Sequence, residues 1–348
     1  MHLTNAFGAE PVHIGAATVA LRARGAGNET RTVPGTRRRL TFGGRRTAVL
    51  PAGGTLAGDP VGLVVPAGAD LVISIHLPER TRIETASPRS FQTTLVTWGD
   101  TTAAADPAPR LRTGRWFLLA GVSVRSTRDA TAIAALGDSI TCGVGSRANA
   151  NHRWPDLFAA RLRAAGRDLG VLNAGISGNR LLSGYDVPTG LPASRRAGRS
   201  AHVGQSALRR FDRDVLALPG VRHLVTLIGV NDLGRAKGTT AEDLIAGHRE
   251  LAARGRRAGL RVIGGTMLPF GGAAEHFDTP ANQVERARFN AWLRTAGEFD
   301  AVVDFDAAIR DPADPRRMLP AYDCGDHLHP GDAGMAALAT AISTDLFT

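Results

Sequence analysis

The chain of 348 residues is short of lysine, cysteine and aromatic side chains, and each shortage closes off a class of protein. Lys237 is the single lysine among 42 basic residues, so almost all of the positive charge sits on arginine. The two cysteines, Cys142 and Cys324, are too few for a disulfide framework and lack the spacing of a metal cluster. Aromatic residues make up only 5%, and no recognition helix, zinc finger or stacking-aromatic pattern accompanies the basic charge, so nucleic acid is not an expected partner. No run of 18 uncharged apolar residues occurs, which argues against a spanning helix or stable membrane insertion. Residues 1–10 also lack the basic-then-apolar layout of a secretory signal, so as written the chain carries no export address. Because Leu3-Thr4-Asn5 already reads like the end of a strand, an upstream start with an export signal stays open.

What is present is a globular composition. Hydrophobic residues make up 43%, enough to build a core in one large domain or two smaller ones. The net charge of +10 is uneven: residues 1–126 carry 15 arginines against 8 acidic residues, and the remainder 27 basic against 24 acidic. Such a basic segment can attract an anionic polymer, although a solvated arginine-rich surface explains it as simply.

Texture divides the chain near residues 125–129. Residues 1–126 show short β-type runs at 13–21, 39–42, 47–50, 61–65, 70–76, 91–96 and 116–124. They are separated by turn signals such as Pro34-Gly35, Gly43-Gly44 and Gly53-Gly54. That pattern predicts an all-β sandwich or jelly roll. Residues 127–348 instead alternate apolar strands (131–136, 171–174, 223–228, 261–266, 301–305) with amphipathic helices (154–165, 205–216, 241–257, 282–295, 332–346). Strict alternation predicts a parallel sheet covered on both faces, a three-layer α/β/α domain. Thr240 with Asp243, Thr279 with Pro280, and Gly259 after Arg256-Arg257 supply helix start and stop signals. The stretch 181–202 has no period and is rich in Gly, Pro and Arg, which suggests a flap on the substrate side or a mobile decoration.

Four segments fall at strand ends and converge if the sheet is doubly wound: Gly137-Asp138-Ser139, Asn173 to Asn179, Gly229-Val230-Asn231-Asp232, and Asp326 to His329. Each supplies a part that acyl transfer needs. Ser139, entering a helix, is the candidate nucleophile, His329 its base and Asp326 the group that orients the base. The N–H groups of Ser139 and Gly178 and the side-chain amide of Asn231 are candidate oxyanion donors. Asp138 is expected to tie down the turn, and Asp232 to cap a helix. His327 competes with His329, but directly after Asp326 it points away from that carboxylate. His76, His152, His202, His223, His248 and His276 have no paired ligand spacing, and Trp98, Trp116, Trp154 and Trp292 read as core or edge packing.

In order and spacing these blocks resemble the SGNH hydrolases, the GDSL-type esterases and lipases, from about residue 132 to the C-terminus. A Gly-x-Ser-x-Gly elbow, the mark of the α/β-hydrolases, is absent around Ser139. The resemblance implies a flavodoxin-like sheet, hydrolysis of esters without metal or cofactor, and frequent action on acetylated sugars or short acyl esters. The N-terminal β region is similar, at the level of architecture, to that appended to some carbohydrate esterases. Where the first block often continues with an acidic residue, this chain has Cys142. The expected function is therefore a serine esterase acting on a small-molecule or carbohydrate ester through an acyl-enzyme. A lipase or lysophospholipase is the alternative among enzymes, and a polysaccharide-binding protein with a lapsed hydrolase domain the alternative of another class. Assembly of the triad should also bring Cys142 and Cys324 near one another, since each lies within three residues of a triad member.

Overall fold

Six of the seven residues in Thr131–Gly137 are buried, and a strand apolar on both faces belongs in the middle of a covered sheet. The computed structural model describes residues 1–23, 30–126, 130–184 and 203–347. It divides into two compact units, Met1–Arg125 and Ser126–Thr348.

The second unit holds a five-stranded parallel sheet in the order Leu169–Gly175, Thr131–Gly137, Val221–Leu227, Arg261–Gly265, Ala301–Val303. The first strand in sequence lies second in space, so the winding reverses between Thr131–Gly137 and Val221–Leu227. That is the flavodoxin-like order, with its switch point at the end of the strand that leads to Ser139. In register, Gly137 pairs with Gly175 on one side and Leu227 on the other, which brings three loops to the same edge of the sheet.

Right-handed crossovers send the connections on either side of the reversal to opposite faces. Trp154–Ala164 accordingly packs with the last helix, Asp332–Ala341. Ala241–Arg257 packs with Pro280–Thr295 and Ala207–Phe211. Trp154, Phe158, Phe211, Phe289 and Phe305 are fully buried between helices and sheet.

The helix boundaries follow local chemistry. Thr240 and Asp243 form a reciprocal capping box, and the Thr279 hydroxyl accepts from the N–H of Asn282 with Pro280 at the first helical position. Two candidates end early. The strand at 301 stops at Val303, because Asp304 caps a short helix, Phe305–Ile309. The last helix stops at Ala341, because Ile342 turns extended. Residues 205–216 form Ala207–Phe211 followed by a wider π-helical turn, Asp212–Leu216.

The first unit is built of small antiparallel sheets around its own core of Leu3, Val12, Ile14, Val19, Leu40, Phe42, Leu50 and Leu118. Its longest pairing joins Ala16–Leu21 to Leu71–His76. Residues 61–65 are not a strand; His2–Thr4 is one, where Leu3-Thr4-Asn5 reads as a strand end, and the very short strands Thr55–Ala57, Ala86–Ser87 and Leu111–Thr113 carry no alternation long enough to read. Trp98 is not packed: it is 79% exposed, in contrast to Trp154.

Candidate active site

Gly137 lets the chain turn from strand to nucleophile at close quarters: a Cβ there would lie 2.1 Å from the Thr141 hydroxyl and 2.7 Å from the Leu227 carbonyl. Asp138 then accepts from the N–H of Ile140 at 3.0 Å, capping the short helix Ser139–Cys142. Asp138 is buried, and that burial pushes its carboxyl up to about 7. Ser139 occupies the first helical position, where its N–H has no intrahelical acceptor and the partial positive charge of the helix terminus is centred.

The partners of Ser139 arrive from far along the chain, on the loop before Asp332–Ala341. His329 Nε2 lies 2.8 Å from Ser139 Oγ, and His329 Nδ1 lies 2.6 Å from Asp326 Oδ2. A carboxylate only accepts, so Nδ1 carries the proton and Nε2 is left to accept from the serine hydroxyl. Asp326 Oδ1 also accepts from the N–H of Leu328 at 3.0 Å and of His329 at 2.8 Å. Partial burial would raise this carboxyl, but the bonds from the His329 ring and the two N–H groups outweigh it and hold Asp326 below the usual carboxylate range.

The loop is locked to the nucleophile side. A Cβ on Gly145 would stand 2.3 Å from the Pro330 carbonyl, so the two backbones touch where only glycine fits. Asp332 adds three links, to the Arg147 N–H at 2.8 Å, His152 Nδ1 at 2.9 Å and the Arg147 guanidinium at 3.6 Å. Asp332 reads in the sequence as an ordinary residue of the first helical turn; nothing local announces that it ties two distant loops.

His327 is engaged elsewhere. Its Nδ1 lies 2.5 Å from Asp323 Oδ2, its N–H donates to Asp323 Oδ1 at 3.0 Å, and its φ is +61°. The loop thus holds two Asp–His pairs, of which one reaches the serine.

Two further segments complete the set. Ile176 to Asn179 form a tight turn closed by Asn179 N–H to Ile176 O at 3.0 Å, and Gly178 takes φ +78° at its third position. That conformation suits glycine. The Asn231 amide donates to Asn179 O at 3.1 Å while Arg235 donates to its oxygen at 3.1 Å. Arginine has only donors, so the amide orientation is set and its second N–H is left for another acceptor. Asp232 does not cap its own helix: both carboxylate oxygens accept backbone N–H groups, from Leu181 at 2.7 Å and Leu182 at 2.9 Å. Its burial pushes the carboxyl up to about 6. The flap candidate begins at these two residues, and 185–202 of it lies outside the described residues.

Among the described residues, the side-chain donors of Asp323, Cys324 and Asp326 lie within 4.8 Å of one another. A cation there would compete with His327 and His329 for the two carboxylates. No disulfide joins Cys142 to Cys324; Cys324 packs on Gly145, and partial burial raises its thiol pKa.

A serine, an imidazole and a carboxylate in line at the switch point of a flavodoxin-like sheet agree with the comparison to known families. Residues 135–337 match the GDSL-like lipase/acylhydrolase family, well over half of the chain. The protein belongs to that family. Its members are carboxylic ester hydrolases, and this chain is a hydrolase of that kind. Similar solved structures include the aryl esterase of Mycobacterium smegmatis, 18% identical with a TM-score of 0.46 over 61% of this chain and 95% of that one. A carbohydrate acetylesterase family member from Sinorhizobium meliloti is also 18% identical, with a TM-score of 0.43 over 61% and 94%. A GDSL-like lipase from Bacteroides thetaiotaomicron is 18% identical with a TM-score of 0.44 over 65% and 91%. No curated protein matches the chain. Among the described residues no helix of this GDSL-family hydrolase is long and apolar enough to cross a membrane.

Proposed function

We propose that this protein is a serine esterase that removes short acyl groups, acetyl first among them, from carbohydrate or similar polar alcohols. The observation that carries the reading is the continuous chain from Ser139 Oγ through His329 to Asp326, with contacts of 2.8 and 2.6 Å. Ser139 attacks the ester carbonyl as His329 Nε2 takes its proton, and Asp326 stabilises the imidazolium without itself taking the proton. The oxyanion is received by the N–H groups of Ser139 and Gly178 and the free N–H of the Asn231 amide. His329 then protonates the leaving alcohol, and water repeats the sequence on the acyl-enzyme.

A small acyl group is favoured by how tightly the serine is set: Ser139 is only 5% exposed. The Gly-, Pro- and Arg-rich composition of 181–202 is unlike a greasy lid and fits a polar alcohol partner. The arginine-rich N-terminal unit is read as an accessory domain for a polysaccharide.

Turnover of p-nitrophenyl esters of increasing chain length, with the parent and Ser139→Ala, tests the reading. Activity highest on acetate and lost in the variant is expected. A rate that climbs toward long chains would favour the lipase alternative, and activity kept by Ser139→Ala would remove the serine mechanism altogether.

A further inference from the structure

Arg210 is a fully enclosed charge, with a side chain 0% exposed. Taking a guanidinium out of water costs several kcal/mol, and the site must return that through well-formed bonds. Its Nε donates to Asn179 Oδ1 at 3.0 Å. One terminal nitrogen donates to Ala174 O at 2.8 Å and pairs with Asp214 at 3.2 Å, and the other donates to Gly137 O at 3.0 Å.

Only one of these four partners is a counter-charge. The other three are structural points of the candidate site. Gly137 ends the strand that delivers Ser139, and Ala174 lies near the end of the neighbouring strand that delivers Gly178. Asn179 directly follows Gly178, and its carbonyl receives the Asn231 amide. Asn179 is itself fully buried, and its amide nitrogen donates to Val203 O and Gln205 O, both at 2.7 Å. The guanidinium fork therefore spans two strand ends and the turn between the oxyanion donors. Directly after Phe211 the helix widens into a π turn, a distortion often found beside functional sites.

We propose that Arg210 is the positioning residue of the oxyanion hole. It touches neither Ser139 nor substrate; by holding Gly137, Ala174 and Asn179 at fixed separation it aims the Gly178 N–H and the Asn231 amide at one point. This rests on the assignment of Gly178 and Asn231 as oxyanion donors. A lysine preserves the charge but not the planar fork, so it cannot hold all three acceptors at once.

The test uses the full chain, p-nitrophenyl acetate as probe, and a temperature well below each variant's melting point. Arg210→Lys should lower kcat roughly 10- to 100-fold with KM within about twofold, the size of loss that a misplacement near 1 Å produces. Combined with Asn231→Ala, its loss should be clearly less than multiplicative, because the part that acts through the Asn231 amide is already gone and only the part through Gly178 remains. Asn179→Ala, which cuts the link from Arg210 to the turn, should behave the same way and decides the matter if the Arg210 variants do not fold. Wild-type kcat in a folded Arg210→Lys or Asn179→Ala, or losses that multiply fully with Asn231→Ala, would overturn the positioning role. Wild-type kcat in Asn231→Ala would instead overturn the oxyanion assignment on which it rests.

Discussion

His329 and His327 show how much a two-residue shift matters. Both imidazoles are held through Nδ1 by an aspartate, but only His329 turns its other nitrogen onto Ser139. His329→Ala and Ser139→Ala should each remove activity by several orders of magnitude while leaving the melting temperature nearly unchanged, since each works only with the other. Asp326→Ala should cost less, because the imidazole can still accept the serine proton. Steady-state kinetics on p-nitrophenyl acetate separates these outcomes, and a larger loss in His327→Ala than in His329→Ala would reverse the assignment. Asn231→Ala should lower kcat about 10²- to 10³-fold, or about 2.7–4 kcal/mol of transition-state stabilisation. In the proposed oxyanion role KM should hardly move, because the oxyanion forms only after attack. A change confined to KM would make Asn231 a substrate-binding residue.

Secondary structure carries these residues to the same place because the sheet is parallel and wound from the middle. Every strand ends at the same edge, and the reversal beside Thr131–Gly137 opens the crevice there. Helices then act as struts, and their ends are where local chemistry is most exposed to test. Removing the capping box with Thr240→Ala should cost about 1 kcal/mol of stability, seen as a lower melting temperature with unchanged kcat, because Ala241–Arg257 contributes no catalytic group. A fall in kcat without a fall in melting temperature would mean that this helix bears on the site directly.

The molecule as a whole contains buried ionisable groups that tilt its stability with pH in opposite senses. His248 is fully buried against Phe289 and Phe299, and burial lowers its pKa from 6.5 to about 4. Between those values the unfolded chain takes up a proton that the folded one refuses, so stability falls as pH drops from 6.5 to 4. Asp138 behaves the other way: burial raises its pKa from 3.8 to about 7, so the folded chain keeps a proton the unfolded one has lost, and stability falls as pH rises through that window. Asp138→Asn retains an acceptor for Ile140 and removes the charge. It should match the parent at pH 4 and melt higher at pH 8, and thermal melts across that range check it; a variant less stable at pH 8 would show that the ionised form is welcome. The second unit has its own core, so fragment 126–348 should still turn over p-nitrophenyl acetate within about tenfold of the full chain. A soluble but inactive fragment would mean that the N-terminal unit completes the site.

Much of this is legible in the sequence. Strand Arg261–Gly265 and helix Ala241–Arg257 stand out because apolar period, caps and flanking glycine agree, and such local signals act over a few residues. The same holds for the order of the blocks bearing Ser139, Gly178, Asn231, Asp326 and His329, since loop residues at strand ends answer to chemistry rather than packing. What the tertiary structure alone decided are the long-range attachments. Arg210 in an amphipathic helix and Asp332 in a first turn look like ordinary solvated charges, and Asp232 beside Asn231 reads as a helix cap. Their partners lie 73, 185 and 51 residues away in the chain. Burial, which raises Asp138 and Asp232 and lowers His248, is likewise a property of what surrounds a residue in space. Sequence determines which groups are available and which elements carry them; only the packed sheet determines which groups meet.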